Sequence, residues 1–316
     1  MATATLVTGA LGCVGAWTVK ALLADDVPVV AYDLGGSDHR LRLALSGEAL
    51  ARLTRVAGDV TDLEALERTL DEYDVGAVVH LAALQVPFVR ENPPLGTAVN
   101  VLGTVNVLEA VRRRRDRIPH VVYASSTAVY SAGDPSPAPE SGGREPATHY
   151  GVTKLANEGM ARVYFEEAGL PSLGVRPYVV YGPGRDQGMT STPTQAMAAA
   201  ARGEGLRISY GGRCQYDYAP DVGRAFAAAS RAFVEGAVVA NYPGVAASMD
   251  EVVAAIEAAA PEVAGIVTYD DVPLPFPEEL ESEALERTVG PLRRTPLADG
   301  VRETIEAFRH AAARST

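Results

Sequence analysis

Two side chains near the middle of the sequence, Tyr150 and Lys154, stand four residues apart at the start of a helical pattern. Residues at this spacing share one face of a helix, so the phenol and the ammonium group are neighbours. A phenol with a pKa of ~10 does not take a proton from an alcohol at neutral pH, but an adjacent ammonium favours the phenolate. Lys154 is one of two lysines among 28 basic residues, and arginine would not supply the same compact charge. The pair predicts a general acid/base that acts on a hydroxyl group.

A hydroxyl group is expected close to this pair. The stretch ASSTAVY (124–130) follows a predicted strand and supplies Ser125, Ser126 and Thr127, one of which can hydrogen-bond the reacting oxygen. The residues after it, 131–149, are rich in Pro, Gly and Ser. Because the elements on both sides carry candidate catalytic residues, we expect a surface loop over the site rather than a plain linker.

Three glycines, Gly9, Gly12 and Gly15, lie between the first predicted strand and the first predicted helix. In a dinucleotide site, one glycine makes the turn, another lets the backbone approach the pyrophosphate, and a third packs the helix on the strand. Asp33 ends the second predicted strand, where a carboxylate can accept hydrogen bonds from the ribose hydroxyls and would repel a 2′-phosphate. The next residue is Leu34 rather than an arginine. The pattern therefore predicts NAD rather than NADP as the cofactor.

Small and polar residues end the next two predicted strands. Asp59 and Val60 follow the third strand, where the edge of an adenine can be held. Leu81, Ala82 and Ala83 close the fourth strand with side chains small enough for a cofactor to pass. The order and spacing of these residues, rather than any one of them, support a continuous path for the cofactor.

Short apolar runs alternate with amphipathic stretches, and they predict the elements that must position these groups. Strands are predicted at 3–8, 27–32, 53–57, 77–82, 120–125 and 172–176, and helices near 13–24, 62–70, 94–115 and 150–168. Buried strands that alternate with helices form doubly wound parallel sheets, so we predict an α/β fold of the Rossmann type. We expect an NAD-binding domain over 1–176, to which part of 215–242 returns, and a smaller mixed substrate-binding part mainly over 177–316.

The order of the motifs resembles the extended short-chain dehydrogenases/reductases, the NAD-dependent epimerase/dehydratase family. The matches are TGALGCVG, Asp33, GDV, HLAA, VNVLGT with Asn100, SSTAVY, the Tyr150–Lys154 pair and RPYVVYGPG, over about residues 3–184, with a weaker match near 216–225. The resemblance implies that Tyr150 is the general acid/base, that Lys154 lowers its pKa and holds the ribose, and that Ser126 is the catalytic hydroxyl, with Thr127 as the alternative. The cofactor contacts that it implies are Gly9, Gly12, Cys13, Val14, Gly15, Asp33, Asp59, Val60, Leu81, Ala82, Ala83, Asn100, Tyr150, Lys154 and Tyr178.

Several positions depart from the family's pattern and bear on the substrate. Sugar-nucleotide dehydratases carry an Asp-Glu pair where this sequence has Thr127 and Ala128, so dehydration is not expected. Nucleotide-sugar epimerases have an Asn at the place of Val179. They have a diphosphate-binding Arg at the place of Cys214, and Arg213 stands one residue early, which a one-residue bulge could restore. A free sugar or sugar acid is therefore a competing substrate. The expected substrate contacts are Gln85, Ser126, Thr127, Tyr150, Arg185 and Arg213.

Two enzymatic functions agree with these motifs. The first is a sugar or nucleotide-sugar epimerase, in which NAD stays bound while a carbinol is oxidised and the hydride is returned to its other face. The second is a dehydrogenase of a free sugar, sugar acid or similar polyol, which releases NADH in each turnover. Val179 and Cys214 favour the second function, and the general pattern of the family favours the first. An NAD-sensing protein without chemistry is disfavoured because Tyr150 and Lys154 are both present.

Composition argues against several other classes of protein. The 316 residues carry 28 Lys+Arg against 40 Asp+Glu, and the net charge of −12 disfavours nucleic acids and anionic membranes as partners. No apolar run approaches the ~20 residues of a membrane span, and the N-terminus has no signal-peptide pattern. Two cysteines, Cys13 and Cys214, cannot form a multi-cysteine zinc site, and no metal is expected. We expect a cytoplasmic enzyme, and the resemblance implies a homodimer built through the helices at 94–115 and 150–168.

Overall fold

The computed structural model describes residues 3–313, and its largest element is a parallel sheet of seven strands. The strands are β1 (Ala4–Thr8), β2 (Val29–Asp33), β3 (Thr54–Ala57), β4 (Val75–His80), β5 (Val121–Ala124), β6 (Ser172–Arg176) and β10 (Ala237–Asn241). They are ordered β10-β6-β5-β4-β1-β2-β3, and neighbouring strands pair in parallel. The strand order reverses between β1 and β4, and open sheets bind ligands beyond the carboxyl ends of the strands at this point.

Helices connect the strands and cover both faces of the sheet. They are α1 (Cys13–Ala24), α2 (His39–Ala44), α3 (Gly47–Ala51), α4 (Leu63–Glu72), α5 (Val86–Glu91), α6 (Pro93–Thr97), α7 (Gly103–Arg112), α8 (His149–Ala168), α10 (Ala219–Ala229) and α12 (Glu283–Val289). Apolar side chains of α1 and α10 form the core on one face, and those of α4, α7 and α8 form the core on the other. A Cβ at Gly223 of α10 would overlap the backbone of Trp17 in α1, so a glycine is needed for this close helix packing.

The later residues build a smaller unit with sheets of its own. Its elements are β7 (Val179–Tyr181), α9 (Thr192–Ala200), β8 (Arg207–Ile208), β9 (Arg213–Tyr218), β11 (Val245–Ser248), α11 (Met249–Ala259), β12 (Thr268–Tyr269) and α13 (Leu297–Ala313). Strand β9 pairs in parallel with β7 and antiparallel with β11, and β8 pairs with β12. A separate core fills the space between these strands and helices. The predicted α/β fold, a doubly wound parallel sheet with a smaller mixed part, is confirmed.

The helical stretch Pro93–Arg112 departs from one expectation of the sequence. It consists of α6, a π-helical turn at Ala98–Leu102 and α7. Within residues 3–313, it is the helix with the length and hydropathy of a membrane span, so the expectation that no apolar run approaches this length is wrong for this helix. Half of its apolar window is buried inside the protein, and buried core helices share this composition.

The segment 131–148 connects the end of β5 to α8, and it packs against the ends of β6 and β10 and against the C-terminal residues. Ala138 N donates a hydrogen bond to Glu279 O (2.8 Å), and the Glu140 carboxylate accepts one from Ala284 N (3.1 Å). None of the residues 131–148 lines the large cavity described below. The segment therefore fastens the sheet to the C-terminal residues, and the expectation that it covers the site is wrong.

Candidate active site

A tight glycine turn joins β1 to α1 at the carboxyl end of the sheet. Gly9 has a φ of +67°, and Gly12 N donates a hydrogen bond to Gly9 O (3.0 Å). A Cβ at Gly9 would lie 2.6 Å from Ala82 N, and a Cβ at Gly15 would overlap the Gly9 carbonyl oxygen. The turn therefore brings the N-terminus of α1 and the end of β4 close together and leaves a cradle of backbone. Such a cradle fits the pyrophosphate of a dinucleotide.

Asp33 stands at the end of β2 on the wall of the same cavity. Its Oδ2 accepts a hydrogen bond from Leu11 N (2.9 Å) in the glycine turn. Burial raises the pKa of Asp33, and backbone hydrogen bonds from Leu11 and Leu34 oppose that rise. Asp59, on the wall as well, accepts a hydrogen bond from Thr61 N (2.8 Å). The two carboxylates stand where the sequence places the ribose and adenine of the cofactor.

Tyr150 and Lys154 lie in the first turns of α8, whose N-terminus is capped by the side chain of Thr148. Lys154 Nζ donates a hydrogen bond to Ala124 O at the end of β5 (2.7 Å). The same nitrogen lies 5.6 Å from the centroid of the Tyr150 ring. The end of β5 thus holds the lysine beside the tyrosine, on the cavity wall that both share with the glycine turn.

For each of these two groups, burial shifts the pKa in one direction and neighbouring groups shift it in the other. Burial lowers the pKa of Lys154 to about 8, and the negative charge of Glu158 opposes this fall. Burial raises the pKa of Tyr150, and hydrogen bonding with Ser126 and the positive charge of Arg185 oppose this rise. For Tyr150, these neighbours bring the pKa closer to neutral pH than burial alone would leave it, as a proton-transfer group requires.

The three candidate hydroxyl groups after β5 have different partners. Ser125 Oγ donates to Glu158 Oε1 (2.5 Å), and Thr127 Oγ1 donates to Pro177 O (3.0 Å). Ser126 Oγ accepts a hydrogen bond from Ala128 N (3.1 Å) and is the hydroxyl that interacts with Tyr150. The hydroxyl groups of Ser125 and Thr127 are therefore already bonded to a carboxylate and to a backbone carbonyl.

A buried ion pair beneath Lys154 was missed in the sequence. Arg176 Nε and Nη2 each lie 2.7 Å from an oxygen of Glu158, and Arg176 Nη1 donates to the Tyr130 hydroxyl (2.7 Å). Both charged side chains are less than a tenth exposed. Glu158 stands four residues after Lys154 on the same face of α8, so the continued spacing of four was the available signal.

One cavity of about 590 Å³ joins these groups. It is lined by every predicted site residue except Asn100 and Arg213. It also includes side chains that the sequence did not single out for this role, among them Met189, Thr190 and Phe276. Their contribution depends on the packing of the C-terminal unit against the sheet, which no local motif reveals.

Asn100 lies behind the cavity wall, buried in the π-helical turn. Its Oδ1 accepts from Leu84 N (2.8 Å), and its Nδ2 donates to Leu84 O (3.0 Å) and to Thr153 Oγ1 (3.1 Å). These bonds tie the chain that follows β4 to α8. The structure thus places Asn100 where it orients the cavity wall, with its polar atoms bonded to protein groups.

Arg213 lies outside the cavity because β9 is a regular strand. Consecutive residues of β9 pair in register with β11, with Arg213 opposite Ser248 and Cys214 opposite Ala247, so no bulge is present here. Successive side chains of a strand point to opposite faces, so Arg213 lies on the face opposite the buried Cys214, at the exposed start of the strand. There Arg213 forms an ion pair with Glu279 (3.1 Å).

The loop at 183–190, which we call the strap, crosses the cavity. Pro183 O accepts a hydrogen bond from Trp17 Nε1 in α1 (2.8 Å). Asp186 binds Arg40 Nη2 and His39 Nε2, each at 2.6 Å, on the side of Asp33. Arg185 Nη1 donates to Gln85 Oε1 (3.1 Å) on the side of Tyr150. The strap is therefore fastened at both sides of the groove.

Among residues 3–313, no group of three His, Cys, Asp or Glu side chains is arranged to hold a metal ion.

Comparison with known proteins gives relatives over the whole chain. The sequence profile of the NAD dependent epimerase/dehydratase family matches residues 5–242. UDP-glucose 4-epimerase of Mycolicibacterium smegmatis is 31% identical over 322 residues, which cover 97% of this chain and 98% of that protein. UDP-glucuronate 4-epimerase 2 of Arabidopsis thaliana is 34% identical over 183 residues, which cover 56% of this chain and only 42% of that protein. The crystal structure of Thermus thermophilus UDP-glucose 4-epimerase in complex with NAD superposes with a TM-score of 0.80 at 27% identity and covers 98% of this chain and 100% of that one.

The parallel sheet, the glycine turn and the Tyr150–Lys154 pair define an enzyme of the short-chain dehydrogenase/reductase type. Within that class, the chain belongs to the NAD-dependent epimerase/dehydratase family. NAD is the cofactor of this family, and the cradle at Gly9 and the carboxylate of Asp33 fit it.

Proposed function

We propose that this enzyme epimerises a sugar-type substrate by hydride transfer at a carbinol carbon. The observation that supports this function best is the meeting of Tyr150, Lys154 and Ser126 in the cavity that begins at the glycine turn. The similarity to sugar 4-epimerases over 97% of the chain agrees with it. Thr127 and Ala128 replace the acidic pair of the dehydratases, so elimination has no acid or base of that kind.

The side chains of this enzyme handle the proton and the geometry of the reaction. The Tyr150 phenolate accepts the hydroxyl proton of the substrate as the carbinol is oxidised, and it returns the proton when the carbinol re-forms. The positive charge of Lys154, 5.6 Å from the centre of the Tyr150 ring, favours the phenolate and is placed to hold the nicotinamide ribose. Ser126, which hydrogen-bonds with Tyr150, is placed to hydrogen-bond the reacting oxygen. When bound, NAD supplies the acceptor for the hydride and the means to return it to the other face.

The strap favours an epimerase over a dehydrogenase that releases NADH. The ion pairs of Asp186 with Arg40 and His39 fasten the strap on the side of Asp33, so we expect a dinucleotide beneath the strap to leave only when these contacts open. Slow release is useful when the same cofactor must return its hydride, and it limits an enzyme that exchanges NADH in each turnover. The dehydrogenase of a free sugar or sugar acid is the second candidate, supported by Val179 and Cys214.

We further propose a homodimer, a cytoplasmic location and the domain division given by the sequence. Apolar side chains stand exposed on the two helical regions that the resemblance assigns to the dimer: Leu95, Leu102, Val152 and Met160. A dimer would remove them from water. Light scattering of the purified protein measures its oligomeric state, and a monomer at micromolar concentration would contradict the dimer.

In the proposed domain division, the cofactor unit is 1–176 with part of 215–242, and 177–316 chiefly serves the substrate.

The experiment for the proposed function compares Tyr150→Phe with the wild type on a panel of sugars, sugar acids and their UDP derivatives, with inversion followed by NMR. We expect the wild type to epimerise at least one compound and Tyr150→Phe to lose turnover by about 100-fold or more, a typical contribution of a general acid/base. Tyr150→Phe should still contain NAD. Tyr73→Phe, which removes a hydroxyl that lines no part of the cavity, is the matched control. Retained turnover in Tyr150→Phe contradicts the proposal.

A further inference from the structure

Arg185 carries a positive charge that the protein does not neutralise. Its Nη1 donates to Gln85 Oε1 (3.1 Å) and its Nη2 donates to Thr190 Oγ1 (3.4 Å), and both partners are uncharged. Its Nε is buried and has no hydrogen-bond partner. Within residues 3–313, no carboxylate lies at ion-pair distance from this guanidinium. Arg185 is partly buried and lines the cavity. A partly desolvated cation without an anion is expected to gain an anionic partner when the site is filled.

The other cations of the cavity are already engaged by protein groups. Arg40 donates two hydrogen bonds to Asp186 Oδ1 and one to Leu11 O. His39 binds the other oxygen of Asp186. Lys154 donates to Ala124 O and stands beside Tyr150. Arg40 and His39 are thus ion-paired and Lys154 belongs to the reacting pair, so among the cavity-lining residues within 3–313 Arg185 is the cation left for an anionic group of the substrate.

Arg185 shares the cavity of the reacting groups. It lines that cavity together with Tyr150 and Gln85, and its charge opposes the rise that burial causes in the pKa of Tyr150. A substrate that fills the cavity can therefore present its carbinol oxygen to Tyr150 and an anionic group to the guanidinium.

We infer that the substrate carries a carboxylate and that the guanidinium of Arg185 binds it, beside Gln85 and Thr190. This inference rests on the proposed function, because it names the substrate class of the same site. A guanidinium binds a carboxylate with two parallel hydrogen bonds, which fixes the orientation of the neighbouring carbon as well as its affinity. Arg185 is then the residue that distinguishes sugar acids from neutral sugars.

A free sugar acid and a nucleotide-linked uronic acid share this carboxylate, and the structure favours the free acid. A linked substrate brings two further negative charges in its diphosphate. The regular register of β9 turns Arg213 outward to Glu279 and puts the buried thiol of Cys214 in its place. The available cation of the cavity thus matches one carboxylate and leaves the diphosphate without a basic partner.

The pyrophosphate of NAD is the competing anion for Arg185. The charge of Arg185 also acts on Cys13, which belongs to the glycine turn. If the guanidinium neutralised the cofactor, its loss would weaken NAD rather than the substrate. The experiment must therefore measure the two ligands separately.

The experiment uses the NAD-loaded full chain and compares Arg185→Gln, Arg185→Lys and the wild type. Arg202→Gln, which removes an exposed arginine paired with Glu204, is the matched control. Binding of glucuronate, galacturonate, glucose, galactose, UDP-glucuronate and UDP-glucose is measured by calorimetry. NAD content after gel filtration and the thermal midpoint report the cofactor and the fold for each variant.

We expect a free acid to bind more tightly than its neutral counterpart, and Arg185→Gln to weaken that acid by about 10- to 100-fold, as for a lost charged hydrogen bond. Arg185→Lys should recover part of the affinity, and NAD content should stay unchanged. Tighter binding of UDP-glucuronate than of glucuronate supports the carboxylate and overturns the preference for the free acid. Equal binding of acids and neutral sugars, or no binding of any acid, overturns the inference. If Arg185→Gln is the one variant that loses NAD, Arg185 binds the cofactor instead, and the inference is overturned as well. Absence of NAD from every protein instead contradicts the proposed function.

Discussion

Replacing Asp186 by asparagine tests whether the strap retains the cofactor. The substitution keeps the size of the side chain and removes the charge that attracts Arg40 and His39. Asp186 and His39 are 43% and 49% exposed, whereas Arg40 is only 15% exposed and donates two hydrogen bonds to one carboxylate oxygen. Exposed ion pairs contribute ~0.2–1 kcal/mol, and the two-fold contact of Arg40 places this one at the upper end. A loss of about 1 kcal/mol corresponds to a roughly fivefold faster release of NAD.

The assay follows the exchange of bound NAD against an excess of isotopically labelled NAD. Asp299→Asn, which removes an exposed partner of Arg302 in α13, is the control and should exchange like the wild type. Added salt should accelerate exchange in the wild type, because it screens the Asp186 contacts, and should have little effect in Asp186→Asn. Exchange in Asp186→Asn at the wild-type rate, or the same salt response in both proteins, would refute the role of the strap.

Two further outcomes follow from the cavity wall. Burial lowers the pKa of Lys154 to about 8, so the ammonium that favours the Tyr150 phenolate is lost above that pH. We therefore expect kcat to decline above about pH 8. A kcat that stays level over the next two pH units, to about pH 10, contradicts this prediction. Gly9→Ala should lower the free energy of unfolding by about 1–3 kcal/mol and abolish NAD retention, because φ is +67° and the new Cβ would lie 2.6 Å from Ala82 N. Gly265→Ala separates the effect of backbone strain from that of the steric clash, because Gly265 has a φ of +78° but open space around it. This variant should lose only the stability that the strained backbone costs, and it should keep NAD.

Local spacing explains why the fold and the centre of the site could be predicted. The glycine turn, Asp33 and the Tyr150–Lys154 pair are each defined by residues within a few positions of a strand end or a helix turn. Such contacts follow from the geometry of one element and from the rule that the carboxyl ends of parallel strands share one edge. The seventh strand, β10, was not predicted, because its five residues lie where the alternation of strands and helices becomes irregular.

Contacts between distant segments explain what could not be predicted. The bond between Arg40 and Asp186 joins residues 146 apart, and no periodicity indicates it. The exposure of Arg213 depends on its place at the start of β9, and its ion pair with Glu279 joins residues 66 apart. The segment 131–148 has the composition of a mobile loop, yet its hydrogen bonds to residues 279–284 decide where it lies.

The most direct test of the central claim is the amount of nicotinamide nucleotide in the purified protein. The full chain is denatured and removed, and NAD and NADH in the supernatant are quantified against the protein concentration. An epimerase that keeps its cofactor beneath the strap predicts close to one nucleotide per chain. A protein that carries none contradicts an epimerase that keeps its cofactor, and one that also fails to bind added NAD contradicts the account as a whole.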